Sequence, residues 1–155
     1  MMLRPFVSVS SACVFVLRLS VIIAPVAILG ACRGVSDRSI ENMTGLELRR
    51  LVDQASKDRN AATLVLIDPR HPREYVAGRI PGAQNLRLSD VPPDARVDPA
   101  LARFETVVVY GNDPSSAAAR AMTKRLLAIG YSGVRFFPGG LEEWRSLGGE
   151  VEAAK

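Results

Sequence analysis

Two adjacent serines stand where an apolar strand gives way to a helix, in the sequence VVVYGNDPSSAAARAM at residues 107–122. Ser115 and Ser116 precede an alanine-rich run, and a serine at such a position usually caps the helix by accepting a backbone N–H. A serine can instead act as a nucleophile when a histidine serves as its base. The chain has one histidine, His71, and the glycines of a nucleophile elbow are missing. The sequence therefore favours the cap, with a serine nucleophile as the alternative.

The N-terminal segment carries the second candidate for chemistry. Arg4 and Arg18 precede LSVIIAPVAILGA, thirteen uncharged residues at 19–31, and Cys32 follows. This pattern is typical of a signal peptide, because its apolar core is shorter than the roughly 20 residues that span a bilayer. The ending LGAC resembles the lipobox of bacterial lipoproteins, which implies that Cys32 is acylated and becomes the mature N-terminus. Its acyl chains would then hold the domain on the periplasmic or extracellular side of a bacterial membrane.

An uncleaved transmembrane anchor over residues 5–31 is the alternative for this segment. It would place Arg18 near the middle of the bilayer, at a cost of roughly 3 kcal/mol. The lipobox interpretation also accounts for both cysteines, because Cys13 would be removed with the signal peptide and Cys32 would be lipidated. With no thiol pair and one histidine, we expect no metal site, no disulfide and no cofactor.

Charge argues against a nucleic-acid partner. The net charge is +4, but residues 1–32 contain no acid, and residues 33–155 hold 18 basic and 16 acidic residues. The two signs are interleaved, without the basic stripe that a nucleic-acid surface needs. We expect a monomeric domain whose hydrophobic content, 48% of the chain, is enough for a core.

Helices and strands alternate after residue 43. Thr44 and Glu47 have capping-box spacing at the start of a helix. Apolar runs at 63–67, 106–110 and 133–137 predict buried parallel strands, and a short strand is expected around Asn85 to Leu88. The segment DPRHPREY is predicted to be a loop, and residues 89–101 a surface excursion. A helix from about Ser116 to Ile129 carries Arg120, Lys124 and Arg125 on a solvated face, with contact to anionic lipid as the alternative. A final short helix carries Trp144.

Two separated motifs resemble the rhodanese-homology signature. The first is LIDPRHPREYVAGRIPGAQNL at residues 66–86, with Arg79 in place of the usual histidine, and the second is FFPGGLEEW near the C-terminus. The resemblance implies a single α/β domain with a five-stranded, mainly parallel sheet flanked by helices. The matching motif residues are Asp68, Arg70, Glu74, Tyr75, Gly78, Ile80, Pro81, Gly82, Ala83, Asn85, Gly139, Gly140 and Trp144. We expect Asp68 and Arg70 to pair and brace a strand end.

The same resemblance implies where a nucleophile would stand. In active rhodaneses the strand that matches VVVY leads into a cysteine, whose thiolate is stabilised by loop amides and a helix N-terminus. Gly111 occupies that position in this sequence. Pro114 removes an amide donor and Asp113 places a negative charge in the loop. The loop that corresponds to the active site consists of Gly111, Asn112, Asp113, Pro114, Ser115 and Ser116.

The sequence therefore predicts a catalytically inactive, membrane-tethered rhodanese-like lipoprotein that binds an envelope partner through the 111–116 loop. The alternative is a sulfurtransferase or related hydrolase with a non-standard nucleophile. The expected organisation is a signal peptide at 1–31, a lipidated cysteine and tether at 32–42, the domain at 43–150 and a tail at 151–155.

Overall fold

Parallel strands form a five-stranded sheet with helices on both faces in the computed structural model, which describes residues 34–57 and 62–153. The strands are β1 (Glu41–Asn42), β2 (Leu64–Asp68), β3 (Gln84–Asn85), β4 (Thr106–Tyr110) and β5 (Val134–Phe137). The helices are α1 (Gly45–Lys57), α2 (Pro72–Ala77), α3 (Pro99–Ala102), α4 (Ala117–Ile129) and α5 (Gly140–Ser146). The predicted α/β fold is confirmed.

The strand order is β1-β5-β4-β2-β3, which makes β4 the central strand. All four neighbouring pairs are parallel, with Val108 opposite Leu66 on one side and Arg135 on the other. Because parallel strands end at the same edge of a sheet, the segments that follow β2, β4 and β5 meet there. The 111–116 loop leaves the sheet at the centre of this edge.

Side chains of β4 alternate between two apolar cores, as a strand buried on both faces must. Val107 and Val109 pack in the core beneath α4, whereas Val108 and Tyr110 pack with residues of α1 and α5. Leu126 on α4 and Leu48 on α1 are fully buried on their respective sides. The continuous apolar strand run is therefore explained by helices on both faces.

Helix ends follow the predicted signals. The Thr44 hydroxyl accepts from the Glu47 amide at 3.3 Å, and the Glu47 carboxylate accepts from the Thr44 amide at 2.8 Å, so the capping box is confirmed. Gly130 ends α4 with φ of +107°, a left-handed conformation that favours glycine.

Several local predictions are wrong. The segment DPRHPREY is not only a loop, because Pro72 starts α2 and proline is well tolerated in the first turn of a helix. The short strand ends at Asn85, since Leu88–Asp90 forms a 3₁₀ turn. The surface excursion at 89–101 contains the start of α3 and anchors Val91 and Leu101 in the core.

The two flanking segments are also more ordered than predicted. In the expected tether, Asp37–Ser39 forms a 3₁₀ turn and Glu41–Asn42 is the edge strand β1. In the expected tail, Glu152 exchanges two backbone hydrogen bonds of 2.9 Å with Arg79. The predicted signal peptide, Cys32 and the last two residues lie outside the described residues.

Candidate functional site

Two backbone hydrogen bonds fix the start of the 111–116 loop. The Leu141 amide donates to the Gly111 carbonyl at 3.0 Å, and the Glu142 amide donates to the Asn112 carbonyl at 2.9 Å. Both donors lie in the first turn of α5, whose early amides have no partner within their own helix. The Asn112 side chain also donates to the Glu142 carboxylate at 3.1 Å. The loop after β4 is therefore tied to α5.

Gly140 allows this close approach. Its φ is +60°, and a Cβ added there would lie 2.6 Å from the Asn112 carbonyl oxygen. Any other residue would meet both a strained backbone and a clash. The second glycine of the Gly139–Gly140 pair is thus required by the contact between α5 and the loop.

Gly111 is buried against Ser116. A Cβ added to Gly111 would lie 2.1 Å from the Ser116 Oγ and 2.3 Å from the Ser116 Cβ. Real side chains never approach so closely, so the serine occupies the space into which a side chain at residue 111 would extend. No pattern in the sequence indicates that residues 111 and 116 touch.

The loop amides nearest α4 are already engaged. Asp113 accepts hydrogen bonds from the Ser115 amide, at 2.7 Å, and from the Ser115 hydroxyl. The Ser116 amide donates to the Asp113 carbonyl at 3.2 Å, and Pro114 has no N–H. The hydrogen bonds from Ser115 also lower the pKa of the Asp113 carboxyl, which favours its charged form. Residues 114–116 therefore offer no free backbone donor to an anion.

Neither serine forms the expected cap. Ser116 occupies the N-cap position of α4, but its side chain makes no capping hydrogen bond. Ser115 instead directs its hydroxyl at Asp113. The predicted N-cap is correct in position and wrong in its side-chain bond.

His71, the base in the alternative proposal, has a structural task in α2. Its Nδ1 accepts a hydrogen bond from the Arg73 amide at 3.2 Å, and Glu74 reciprocates by accepting from the His71 amide at 3.2 Å. This is a capping box at the N-terminus of α2. Among the hydrogen bonds of the described residues, none joins His71 to Ser115 or Ser116.

Asp68 and Arg70 form the predicted pair at the end of β2. Arg70 donates from Nη2 to the Asp68 Oδ2 at 2.6 Å and from Nε to Oδ1 at 2.9 Å, and both side chains are buried. Arg70 also donates to the Gly78 carbonyl at 2.7 Å. The side-chain Nδ2 of Asn85 joins the same network by donating to the backbone carbonyls of Asp68 and Arg70. The expected pairing of Asp68 with Arg70 is confirmed, and its role in bracing the strand end stays a prediction.

Tyr110, the last residue of β4, joins this bracing network to the loop. Its hydroxyl accepts a hydrogen bond from the Ile80 amide at 3.1 Å, and its ring is fully buried. Burial raises the pKa of the Tyr110 phenol well above its usual value, and the charge of Asp68 raises it further. From the sequence alone, Tyr110 is recognisable only as part of a strand.

The remaining motif residues have structural contacts. Pro81 and Gly82 form the predicted turn, with φ of +77° at Gly82. The Trp144 indole N–H donates to the Glu150 carbonyl at 2.7 Å, and Tyr75 donates to the Ala83 carbonyl at 2.6 Å. Arg79, which replaces the family histidine, pairs with Glu152 and stacks over the Tyr75 ring at 4.6 Å.

The sequence predicted that the basic residues of α4 form a free solvated face. In the structure these side chains instead make contacts with the rest of the domain. Lys124 pairs with Asp37 at 2.9 Å, and the Arg120 guanidinium lies 5.2 Å from the centre of the Phe136 ring. Arg125 donates to the Val91 carbonyl. These contacts hold α4 to the N-terminal turn and to the sheet.

Residues 34–57 and 62–153 lack the features of a metal site and of a membrane-spanning helix. That part of the chain has no cluster of three or more His, Cys, Asp and Glu side chains that could ligate a metal ion. Its helices are too short or too polar to cross a membrane.

Comparison with known proteins gives one consistent family. The sequence model of the rhodanese-like domain family matches residues 51–147 of this chain. The chain is 34% identical over 100 residues to the thiosulfate sulfurtransferase GlpE of Pseudomonas entomophila, covering 64% of this chain and 87% of that protein. The corresponding Pseudomonas fluorescens enzyme is 30% identical over 100 residues, with the same coverage of 64% and 87%.

Solved structures agree on the fold. A Rhodopseudomonas palustris protein of unknown function, described as a possible tyrosine phosphatase, superposes with a TM-score of 0.59 at 26% identity, covering 74% of this chain and 86% of that one. The thiosulfate sulfurtransferase of Pseudomonas aeruginosa gives a TM-score of 0.53 at 21% identity, covering 76% of this chain and 21% of that one. Fold, motifs and relatives together show that the chain belongs to the rhodanese-like domain family.

Proposed function

We propose that this protein is a catalytically inactive rhodanese-like module, tethered to a bacterial membrane through Cys32, that binds a partner through its 111–116 loop. The observation that carries the proposal is the contact between Gly111 and Ser116. The family resemblance puts the nucleophilic cysteine at residue 111, where this chain has a glycine and where the Ser116 side chain fills the adjoining space. Sulfur transfer needs a thiolate there, and the loop has neither the thiol nor room for it.

The electrostatics of the loop support the same conclusion. Thiosulfate and a bound persulfide are anionic, and a rhodanese loop stabilises them with converging amides. In this chain the amides of Ser115 and Ser116 donate to Asp113, whose carboxylate adds a negative charge of its own. The loop is therefore poorly suited to an anionic substrate even apart from the missing nucleophile.

The same features suit a binding surface. Pro114 and Ser115 are exposed at the tip of the loop, while the loop base is held by α5 through two backbone hydrogen bonds. A preorganised loop loses little conformational freedom on binding. Asp113 lies in the loop, and the exposed Glu142 is joined to the loop by its hydrogen bond with Asn112. Two acidic side chains at this surface favour a partner segment that carries basic or amide groups.

Capture of a partner tests the binding role. Full-length tagged protein is cross-linked in membranes, solubilised in detergent and compared with a variant in which residues 112–116 are replaced by glycine and serine. The matched control carries Asp94→Gly and Arg96→Ser, two exposed changes in the 89–101 excursion. We expect a defined partner with the native loop and with the control, and its loss with the loop variant. Equal recovery from all three proteins would contradict a role for the loop.

The lipid anchor rests on the LGAC sequence at residues 29–32 and on the uncharged stretch before it. We expect Cys32→Ser to release the protein from the membrane fraction or to leave the precursor uncleaved, with Cys13→Ser as the matched control. Unchanged size and unchanged membrane association of the Cys32→Ser protein would instead support a transmembrane anchor over residues 5–31.

Sulfur transfer by a non-standard nucleophile is the second candidate, and the Pseudomonas relatives named as thiosulfate sulfurtransferases favour it. Ser115 or Ser116 would have to act in place of a thiol. Ser115 already donates its hydroxyl to Asp113, and His71 is engaged in the cap of α2. Sulfur transfer by the native protein that is lost when the 111–116 loop is altered would support this second candidate.

A further inference from the structure

We infer that Ser116 and Gly111 form a steric pair, in which Ser116 closes the position of the family nucleophile, so that no side chain can return to residue 111 while Ser116 keeps its Cβ. The inference rests on the proposed function only in taking residue 111 as the nucleophile position. It assigns to Ser116 a packing role against Gly111 that helix capping does not explain.

The geometry shows that rotation of the serine cannot relieve the clash. A new Cβ at residue 111 would lie 2.1 Å from the Ser116 Oγ, which a change of χ1 could move. It would also lie 2.3 Å from the Ser116 Cβ, which is fixed to the backbone. An alanine at residue 116 would therefore clash almost as badly as the serine, and only glycine would clear the space.

The backbone on each side of the contact is held in place. The Gly111 carbonyl accepts from the Leu141 amide at 3.0 Å. The Ser116 amide donates to Asp113 at 3.2 Å, and its carbonyl accepts from the Arg120 amide at 3.3 Å in the first turn of α4. Ala119, one turn into α4, is fully buried, and its Cβ lies 3.3 Å from the same added atom. Moving either residue away would break contacts of α4 or α5.

The hydroxyl of Ser116 is not needed for helix capping, because it makes no capping bond. Glycine is among the residues that are well tolerated at an N-cap position, so it can replace serine there with little loss. The two positions are therefore expected to be coupled: Ser116→Gly alone changes little, Gly111→Ala alone destabilises the domain, and the two together are tolerated. The effects of two substitutions usually add when the sites are independent, and additivity fails for residues in contact.

Thermal unfolding of the full-length protein in detergent, followed by circular dichroism, tests the pair. We expect Gly111→Ala to lower the Tm by roughly 5 to 15 °C, as overpacking of a fixed core site does. Gly34→Ala is the matched control, since a Cβ there meets nothing within 4 Å. Adding Ser116→Gly to Gly111→Ala is expected to restore at least half of the lost Tm, whereas adding Ser116→Ala restores little.

Three results would overturn the inference. They are a Tm for Gly111→Ala equal to that of Gly34→Ala, equal rescue by Ser116→Ala and Ser116→Gly, or a Gly111→Ala/Ser116→Gly protein that does not fold. If Gly111→Ala itself fails to fold, recovery of a cooperative transition in the double variant still supports the pair. The melting data do not depend on activity, so sulfur transfer by the native protein would refute the proposed function and leave this inference standing.

Discussion

The amide of Leu141 donates a hydrogen bond of 3.0 Å to the carbonyl of Gly111. This bond joins the residue that follows the central strand β4 to the first turn of α5. Residues 30 positions apart thereby determine the backbone of the candidate site. Gly140 makes the approach possible, since its own Cβ position is filled by the carbonyls of Gly111 and Asn112. The conformation of the 111–116 loop therefore depends on the first turn of α5 as well as on the loop residues themselves.

Replacing Gly140 by alanine is the first prediction. The substitution combines a left-handed backbone, at φ of +60°, with a Cβ 2.6 Å from the Asn112 oxygen. We expect the free energy of unfolding to fall by about 3 kcal/mol or more, since strain alone costs about 1–2 kcal/mol. Urea unfolding followed by the fluorescence of the single tryptophan, Trp144, gives the value.

Gly82→Ala is the control for that measurement. Gly82 has φ of +77°, but an added Cβ meets nothing within 4 Å, so only the strain is introduced. A loss for Gly140→Ala no larger than the loss for Gly82→Ala would show that the contact between α5 and the loop is not tightly packed.

The buried pair of Asp68 and Arg70 provides the second prediction. Arg70→Ala would leave the fully buried carboxyl group of Asp68 without its ion-pair partner. Removing one member of a buried pair typically costs about 3–5 kcal/mol. Arg87→Ala is the matched control, because the Arg87–Asp90 pair is exposed and solvent screens it, so that its removal is expected to cost much less stability. Equal losses in urea unfolding would contradict the bracing role of Arg70.

The third prediction concerns Tyr110 and pH. Burial raises the pKa of this phenol, whereas in the unfolded chain the pKa is about 10. Above that pH the unfolded state loses a proton that the folded state keeps, so ionisation of Tyr110 lowers the free energy of unfolding as the pH rises. Below about pH 9 both states are protonated and the effect is absent.

Tyr110→Phe separates this effect from the hydrogen bond. At pH 7 the variant loses the acceptor for the Ile80 amide, which is expected to cost about 1–3 kcal/mol. Between pH 9 and pH 11 the difference from the native protein should narrow, because phenylalanine does not ionise. A difference that stays constant or widens over this range, measured by urea unfolding, would show that Tyr110 ionises as readily in the folded state as in the unfolded one.

Local sequence signals predicted most of the fold. Thr44 and Glu47 marked the start of α1, Gly130 marked the end of α4, and the apolar run at 106–110 marked the central strand. These features depend on neighbours in the chain. The edge strand β1 was missed because its two residues are polar and exposed, and because its pairing with β5 involves residues about 94 positions away, from Glu41 to Arg135.

The candidate site was predictable in its residues and only partly in its arrangement. Prolines such as those in DPRHPREY are typical of loops, although Pro72 starts a helix that His71 caps. The contacts of Ser116 with Gly111 and of Lys124 with Asp37 depend on how α4 packs against the sheet. Tertiary contacts of this kind leave no periodic pattern in the sequence.

An assay of sulfur transfer tests the central claim most directly. Full-length protein purified in detergent is incubated with thiosulfate and cyanide beside the Pseudomonas entomophila enzyme, a blank, and the variant with residues 112–116 replaced by glycine and serine. We predict no thiocyanate above the blank from the native protein. Thiocyanate that increases with the amount of native protein and is lost in the loop variant would contradict the claim that this rhodanese-like domain is inactive.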